Sequence, residues 1–450
     1  QAQRGRAVQH DRTALHYAVA GKNVEAVQLL LQRRVKVDQK DKYGVVPIHL
    51  AAWFGSLEIM KLLVQAGAEQ KIENEEGLNI MHYAAINNHT EILEYIVEDL
   101  QMKEMDKEDE SGRRPFALAA EHGCVKMLEM LMEQSYNMAT MNGCVTPARN
   151  IKDKHSLIGD TPLHLAADGA YEDCALALLE AGCDPNIITT AKCSALHPVC
   201  ERGDTSLLRL LLDHQAQMDF QNQHLEAPLH LAVKNCHIPV IHSLLMAGCN
   251  INVTDKVGYT VMHVAAELGR VDVVEMLLKA ELDLTIQDRQ GKTALGVAAR
   301  ADEPIIVDMI IKAERYFAWK KANTEINESL HSQSALTFKL DHRSETKEFR
   351  SVAWQLAYQL LKPGDWKRLA EHWKFTKEQV AAIEEQWTGQ QSYREHGYRM
   401  LLIWLHGVEL AQQSPAKELY HGLIFTGNTK AADKMRMEAE SGSNKSCSIS

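Results

Sequence analysis

A short motif built around histidine recurs along this 450-residue chain at a nearly fixed interval, and nothing else in the sequence constrains the fold as much. Ala14-Leu15-His16, Pro47-Ile48-His49, Ile80-Met81-His82, Pro162-Leu163-His164, Ala195-Leu196-His197, Pro228-Leu229-His230 and Val261-Met262-His263 are one motif written seven times. Pro115-Phe116-Ala117 and Ala294-Leu295-Gly296 are two further copies without the histidine. The successive spacings are 33, 33, 35, 47, 33, 33, 33 and 33 residues. Such a period means supersecondary units that bury their apolar faces only by stacking on one another. Seven of the 21 histidines are therefore structural punctuation, not a catalytic cluster.

Each period has the same internal order. A turn signal opens it, as in Asp41 to Gly44, Asp255 to Gly258 and Asp288 to Gly291. Thr13, Thr161, Thr260 and Thr293 stand where a short helix begins, and a threonine there caps free N–H groups. That helix contains a small pair, Ala51-Ala52 or Ala265-Ala266, and stops near Gly55 or Gly269. A second helix follows, with Ile59, Leu62, Leu63 and Ala66 at i, i+3, i+4 and i+7 on one face; Val273, Met276, Leu277 and Ala280 reproduce the spacing. Small residues in the first helix let neighbouring units approach, and branched ones in the second fill a shared core.

The 33-residue period with Thr161-Pro162-Leu163-His164-Leu165-Ala166-Ala167 resembles the ankyrin repeat. The resemblance covers nine copies over 8–319, at 8–40, 41–73, 74–108, 109–141, 156–188, 189–221, 222–254, 255–287 and 288–319, with an inserted loop near 142–155. It implies a curved solenoid of helix pairs with turn fingers on one side, in which the Thr and His side chains bond backbone between repeats. It further implies that Asn186 and Asn252, which follow Leu178-Leu179 and Leu244-Leu245, are hydroxylation acceptors; the alternative is that each asparagine closes its turn. Lys192 and Leu225 stand where glycine occupies other turns, so those two turns are expected to differ or to be strained. The first copy begins almost at the chain start, which predicts an exposed apolar face there and sequence missing upstream.

Beyond Ile311 the character of the sequence changes. Residues 320–342 read as a polar linker. The region after it holds Trp354, Trp366, Trp373, Trp387 and Trp404, five of the seven tryptophans, which marks a separate core. Helices are expected along Val352, Leu356 and Leu360, stopped by Pro363-Gly364, and along Trp366, Leu369, Ala370 and Trp373. Thr376 with Gln379, and Ser392 with Glu395, read as capping boxes of the next two. Ser414-Pro415 starts a fifth helix and Thr429 to Met435 a sixth. Trp366, Leu369-Ala370, Ile383-Glu384 and Leu401 to Trp404 give residues 343–437 a resemblance to a death domain, followed by a tail at 438–450. The expected fold class is all-α: an ankyrin-repeat solenoid followed by a six-helix death-domain bundle.

Composition and motifs exclude most chemistry. Hydrophobic residues at 45% and charged residues at 24% exclude a disordered chain. No run of apolar residues is long enough to span a bilayer, and Gln1 to Arg12 is not a signal peptide. A net charge of −11 argues against nucleic acid as a partner. The nine cysteines, without a CxxC pair, read as reduced thiols of a cytoplasmic protein. Cys193, His197 and Cys200 supply only three ligands, so no metal site is expected. Gly291-Lys292-Thr293 resembles the end of a phosphate loop, but Ile286 stands where its first glycine belongs. No HExxH, GxSxG or dinucleotide fingerprint occurs, so neither catalytic residues nor a cofactor is expected.

The functional expectation is a non-enzymatic adaptor that binds a protein through turn tips and first helices and a homotypic death-domain partner through the bundle. Residues 344–437 hold 13 basic against 11 acidic residues while the rest of the chain is strongly acidic, so mutual attraction of the two parts, and self-inhibition, are also expected. Cys447-Ser448-Ile449-Ser450 fits a farnesylation pattern. Modified there, the chain would instead be a membrane-associated scaffold holding the cytosolic part of a membrane protein.

Overall fold

Thr13, Thr161, Thr260 and Thr293 take extended backbone and hand directly into seven-residue helices, which makes each of them an N-cap. The hydroxyls of Thr161 and Thr293 accept the N–H three residues on, each at 3.4 Å. The structure is a computed structural model that describes residues 11–102, 106–133, 159–323, 336–339, 344–387 and 389–434. Among these, every regular element is helical.

Helices come in pairs. The first six are α1 (Ala14–Ala20) with α2 (Val24–Gln32), α3 (Pro47–Phe54) with α4 (Leu57–Gln65), and α5 (Ile80–Ile86) with α6 (Thr90–Glu94), α7 (Pro115–Glu121) with α8 (Val125–Glu133), α9 (Pro162–Asp168) with α10 (Glu172–Glu180), and α11 (Leu196–Arg202) with α12 (Thr205–Asp213). A π-helical turn, Tyr95–Asp99, continues α6. Three more pairs follow: α13 (Pro228–Lys234) with α14 (Ile238–Ala247), α15 (Val261–Glu267) with α16 (Val271–Lys279), and α17 (Ala294–Arg300) with the longer α18 (Pro304–Ala322). The chain divides into two compact units between Pro228 and Leu229.

Within the first unit, first helices pack on first helices, α1 on α3 through to α9 on α11, and second helices on second, α8 on α10 and α10 on α12. The insertion behind the 47-residue spacing leaves this register intact, since α7 meets α9 and α8 meets α10 across it. The loop expected near 142–155 lies outside the described residues. Ala51 and Ala52 are fully buried between first helices, as the small-pair reading requires. Tyr17 and Leu29 of the first pair are exposed. Gly55 ends α3 at φ +69°, where a Cβ would lie 2.4 Å from the ring of His89 in the following pair. Only glycine fits both the left-handed backbone and that approach.

The buried face of the second helix is rotated from the expected one. In α4 it is Ile59, Met60 and Leu63 that are buried, while Leu62 is half-buried and Ala66 exposed. In α16, Val273, Val274, Leu277 and Leu278 are buried and Met276 is not. A second helix is covered by its own first helix and also by adjacent second helices, so its apolar stripe is wider and turned from a single-partner face.

Each turn finger is closed by its opening side chain. Asp41 Oδ1 accepts the N–H groups of Tyr43 and Val45 at 2.9 Å, and Asn222, Asp255 and Asp288 do the same in theirs. Neighbouring fingers join through Tyr43 O to Glu75 N–H at 3.2 Å and Val257 O to Arg289 N–H at 3.1 Å. Lys192 and Leu225 keep the finger geometry and accept the strain: their φ values are +59° and +58°, against +74° at Gly44.

The second unit ends in a bundle. α19 (Ser344–Gln355) runs on as a π-helical turn, Leu356–Leu360, and is followed by α20 (Asp365–His372), α21 (Lys377–Glu385), α22 (Ser392–Leu410) and α23 (Pro415–Phe425), with residues 429–434 also helical. Trp366, Leu369, Ile383, Leu401, Leu419 and Leu423 form its core, and Trp373 stacks on Trp404 with ring centroids 4.3 Å apart. Thr376 and Gln379 form the expected reciprocal box, both bonds 3.1 Å. Three expectations change. Trp354 and Trp387 are 43% and 54% exposed, so they belong to the surface. Ser392 lies inside α22, whose N-cap is Gln391, and Glu395 accepts from the Tyr358 hydroxyl instead. The stretch read as a linker begins within α18, and Phe338 inside it is fully buried.

Replacing Leu225 by glycine removes the left-handed strain while giving up little packing, because Leu225 is exposed. Urea unfolding of Leu225→Gly is expected to show a gain of up to about 1 kcal/mol. A loss would mean that the finger relieves the strain in another way.

Candidate functional site

The motif histidines are engaged in holding repeat to repeat. Thr13, Ser194 and Thr161 donate their backbone N–H to Nδ1 of His16, His197 and His164 at 3.0, 3.0 and 3.3 Å. An imidazole accepting at Nδ1 carries its proton on Nε2. Nε2 therefore donates to a carbonyl of the next repeat: His16 to Val45, His164 to Cys193, and His197 to Glu226, at 3.1, 3.1 and 3.2 Å. His82, His230 and His263 reach Arg113, Tyr259 and Lys292 in the same way. His49 departs. Its threonine is replaced by Val46, and its Nε2 bonds the Ile72 carbonyl at 3.0 Å while its ring lies 5.1 Å from Tyr83.

Burial pushes the pKa of His16, His49, His82, His164, His197 and His263 down, to about 4 for His49 and His164. These groups are neutral links, unsuited to proton transfer near pH 7. Both ring nitrogens of His197 are engaged, which leaves none to join Cys193 and Cys200 around a metal. The phosphate-loop likeness fails on the same ground: the N–H groups of Gln290 and Lys292 both go to Asp288 Oδ1 at 2.8 Å. Burial raises the Cys174 and Cys183 thiols to about 12, so neither is a nucleophile.

Asn186 and Asn252 sit at matching turn positions. Asn186 Oδ1 accepts the Gln217 N–H at 2.7 Å and its amide donates to the Gln215 carbonyl at 3.3 Å. Asn252 Oδ1 accepts the Asp283 N–H at 3.0 Å, and this residue is the more exposed of the two. Both asparagines thus bond the following turn. Cys447 lies outside the described residues.

Two surfaces stand out, one in each unit. In the first unit Tyr17 and Trp53 on first helices and Tyr43 on a finger are exposed aromatics. Trp53 meets Tyr83 edge-on at 5.8 Å, and the Tyr83 hydroxyl accepts from Asn74 of its own finger at 3.0 Å, so this aromatic group fills the angle between fingers and first helices. In the second unit, α17 and α18 pack against α21 and α22. An open cleft of about 1040 Å³ runs along this contact, lined by Leu282, Leu284, Phe317, Trp373, Trp404 and Val408 among others.

No sequence periodicity signalled that second contact, because its partners lie 58 to 95 residues apart. Arg399 on α22 holds Asp308 on α18, with Nη2 to Oδ1 at 2.6 Å and Nε to Oδ1 at 3.0 Å, and Nη2 also reaches the Pro304 carbonyl at 3.1 Å. Burial pushes the Asp308 carboxyl up, and the guanidinium opposes that shift. Arg315 donates twice to the Trp373 carbonyl at 3.2 Å and lies over the Phe375 ring. Gln379 donates to Glu314 at 2.8 Å; burial holds that carboxyl up at about 7. Phe338 plugs the same region: its N–H goes to Glu275 Oε2 at 3.1 Å and its carbonyl accepts from Lys312 at 3.3 Å.

The histidine shifts carry a stability prediction. In the unfolded chain each imidazole protonates near 6.5, but in the fold His49 and His164 resist until about 4. The unfolded state therefore binds more protons in that window, and stability falls as pH drops through it. The slope is about 1.4 kcal/mol per pH unit for each of the two. Asp160 and Glu314, both raised to about 7, act in the opposite sense, losing their contribution as pH rises through that value. Because Asp160 and Glu314 offset His49 and His164, the histidine share is read from a variant: lowering the pH from 7 to 5 is expected to cost His164→Asn about 2 kcal/mol less in urea unfolding than the parent chain, and an equal change in both would refute the neutral-link account.

A family model described as ankyrin repeats (3 copies) matches residues 3–74, 48–142, 163–255 and 229–320. BCL-6 corepressor-like protein 1 of Homo sapiens is 35% identical over 105 residues, 23% of this chain and 6% of that protein. The nuclear factor NF-kappa-B p105 subunit of Gallus gallus is 28% identical over 140 residues, 30% of this chain and 13% of its own length. Inversin of Canis lupus familiaris is 32% identical over 114 residues, 25% of this chain and 10% of that protein. The aligned parts thus cover only a small share of each relative. No helix among the described residues is long and apolar enough to cross a membrane.

Proposed function

Because the chain belongs to the ankyrin-repeat family, whose repeats are protein-interaction modules, we propose that it is a non-enzymatic cytoplasmic adaptor in signal transduction. The array grips one protein through its fingers and first helices. The bundle over 343–437, set off by a junction at 320–342, recruits a second helical bundle in the manner its death-domain resemblance implies. The observation that carries the reading is the division of labour in the repeats. Their polar motif residues bond repeat to repeat, while Tyr17, Tyr43 and Trp53 face outward on the fingers and first helices. Large aromatics of this kind dominate the energetics of protein interfaces. Support for the second module comes from the capped helices around Trp366 and from the exposed Trp354 and Trp387. Asn186 and Asn252 enter the same reading as hydroxylation acceptors at turns. Intact-protein mass spectra from oxygenated cells with no added oxygen on either residue would remove that part.

Proximity labelling from cells tests the adaptor reading with two exposed-site variants. Tyr43→Ala with Trp53→Ala is expected to lower labelling of one partner set roughly tenfold without unfolding the chain. Trp354→Ala with Trp387→Ala is expected to deplete a different set. If neither variant changes the labelled proteins, the adaptor reading fails. If only the array variant does, the bundle is not a recruitment module.

A further inference from the structure

We propose that the last helix pair, α17 and α18, is an intramolecular docking partner of the C-terminal bundle, latched by Asp308 and Arg399, and that it withholds the α21–α22 face until the latch opens. The inference rests on the adaptor reading only for what the withheld face does; the latch itself stands on geometry.

Four features of the contact support it. The ion pair is buried on the arginine side and made through two guanidinium nitrogens, so it fixes one orientation of α22 on α18. Breaking such a pair from one side leaves the partner charge buried and alone, which is strongly unfavourable. Contacts from α21 complete the docking, through Glu378 to the Thr293 hydroxyl at 2.6 Å and Gln379 to Glu314. The segment 336–339 acts as a strap, with Lys339 on Asp272 at 2.6 Å and the Thr337 carbonyl on His406 at 3.0 Å.

The fourth feature is incomplete polar matching. Two buried donors at this contact, Arg315 Nε and Arg399 Nη1, have no protein acceptor among the described residues. Interiors rarely tolerate such groups, and each one weakens the state that buries it. Docking is therefore held by one strong pair against a background of incomplete polar matching, which lowers the cost of releasing it. The pair that holds the contact is buried and little screened, so docking is expected to survive high salt.

Hydrogen exchange on the full chain tests this with two variants, Arg399→Glu and Asp308→Asn. Both are expected to speed exchange roughly tenfold or more in α17, α18, α21, α22 and 336–339, while peptides around Trp366 and in α23 keep their protection. Unchanged exchange at the contact in both variants would overturn the latch. Simultaneous loss of protection throughout the bundle would overturn it too, because the contact would then be part of one core. Labelling partners with the opened variants separates the two readings. New partners support withholding of the α21–α22 face. Opening with an unchanged partner set would remove the withholding while leaving the adaptor reading to stand on the surface tryptophans.

Discussion

One hydrogen bond recurs through the array and everything else leans on it: a neutral imidazole Nε2–H donated to a carbonyl of the next repeat. A seven-residue helix cannot hold its own ends in water. The Thr–His pair solves this locally, by capping the helix, and globally, by reaching across to the neighbour with the opposite ring nitrogen. Burial keeps the ring uncharged, since protonating Nδ1 would set it against the N–H it accepts from. At His49 the pattern bends: its Nε2 turns to the Ile72 carbonyl and Tyr83 lies beside the ring, whereas His230, preceded by Ala227 at the threonine position, keeps the usual partner.

Much of this was legible in the sequence because its causes are local. The period, the capping threonines, the closing glycines and the Thr376–Gln379 box each follow from residues within a few positions of one another. What sequence reading missed depends on partners far along the chain. The face of α4 was misjudged because neighbouring repeats, not α4 itself, decide that Met60 is buried and Ala66 is not. Trp354 and Trp387 carry the apolar character of a core but no local mark of being outside it. Phe338 sits in a polar stretch that reads as a linker, and only Tyr316, Phe317 and His406, brought round it by the fold, explain its burial.

Stacked repeats need their terminal apolar faces covered. In this chain the C-terminal bundle takes that place against α17 and α18, so one contact serves both stability and control. The arrangement joins two consequences. The bundle is not a module on a free tether, and whatever engages its α21–α22 face must compete with the last repeat. In the first unit the exposed aromatics stand on first helices, at Tyr17 and Trp53, and on a finger, at Tyr43.

The fastening of the C-terminal part onto the last repeats is most directly read by zero-length carbodiimide cross-linking of the monomeric full chain. The exposed pair Lys339–Asp272, at 2.6 Å, joins the strap to α16, and Lys320–Glu281, at 2.5 Å, is a control within the array. Links at both pairs are predicted. A Lys320–Glu281 link without one between Lys339 and Asp272 would contradict the account, because the strap would then not lie on the repeats in solution.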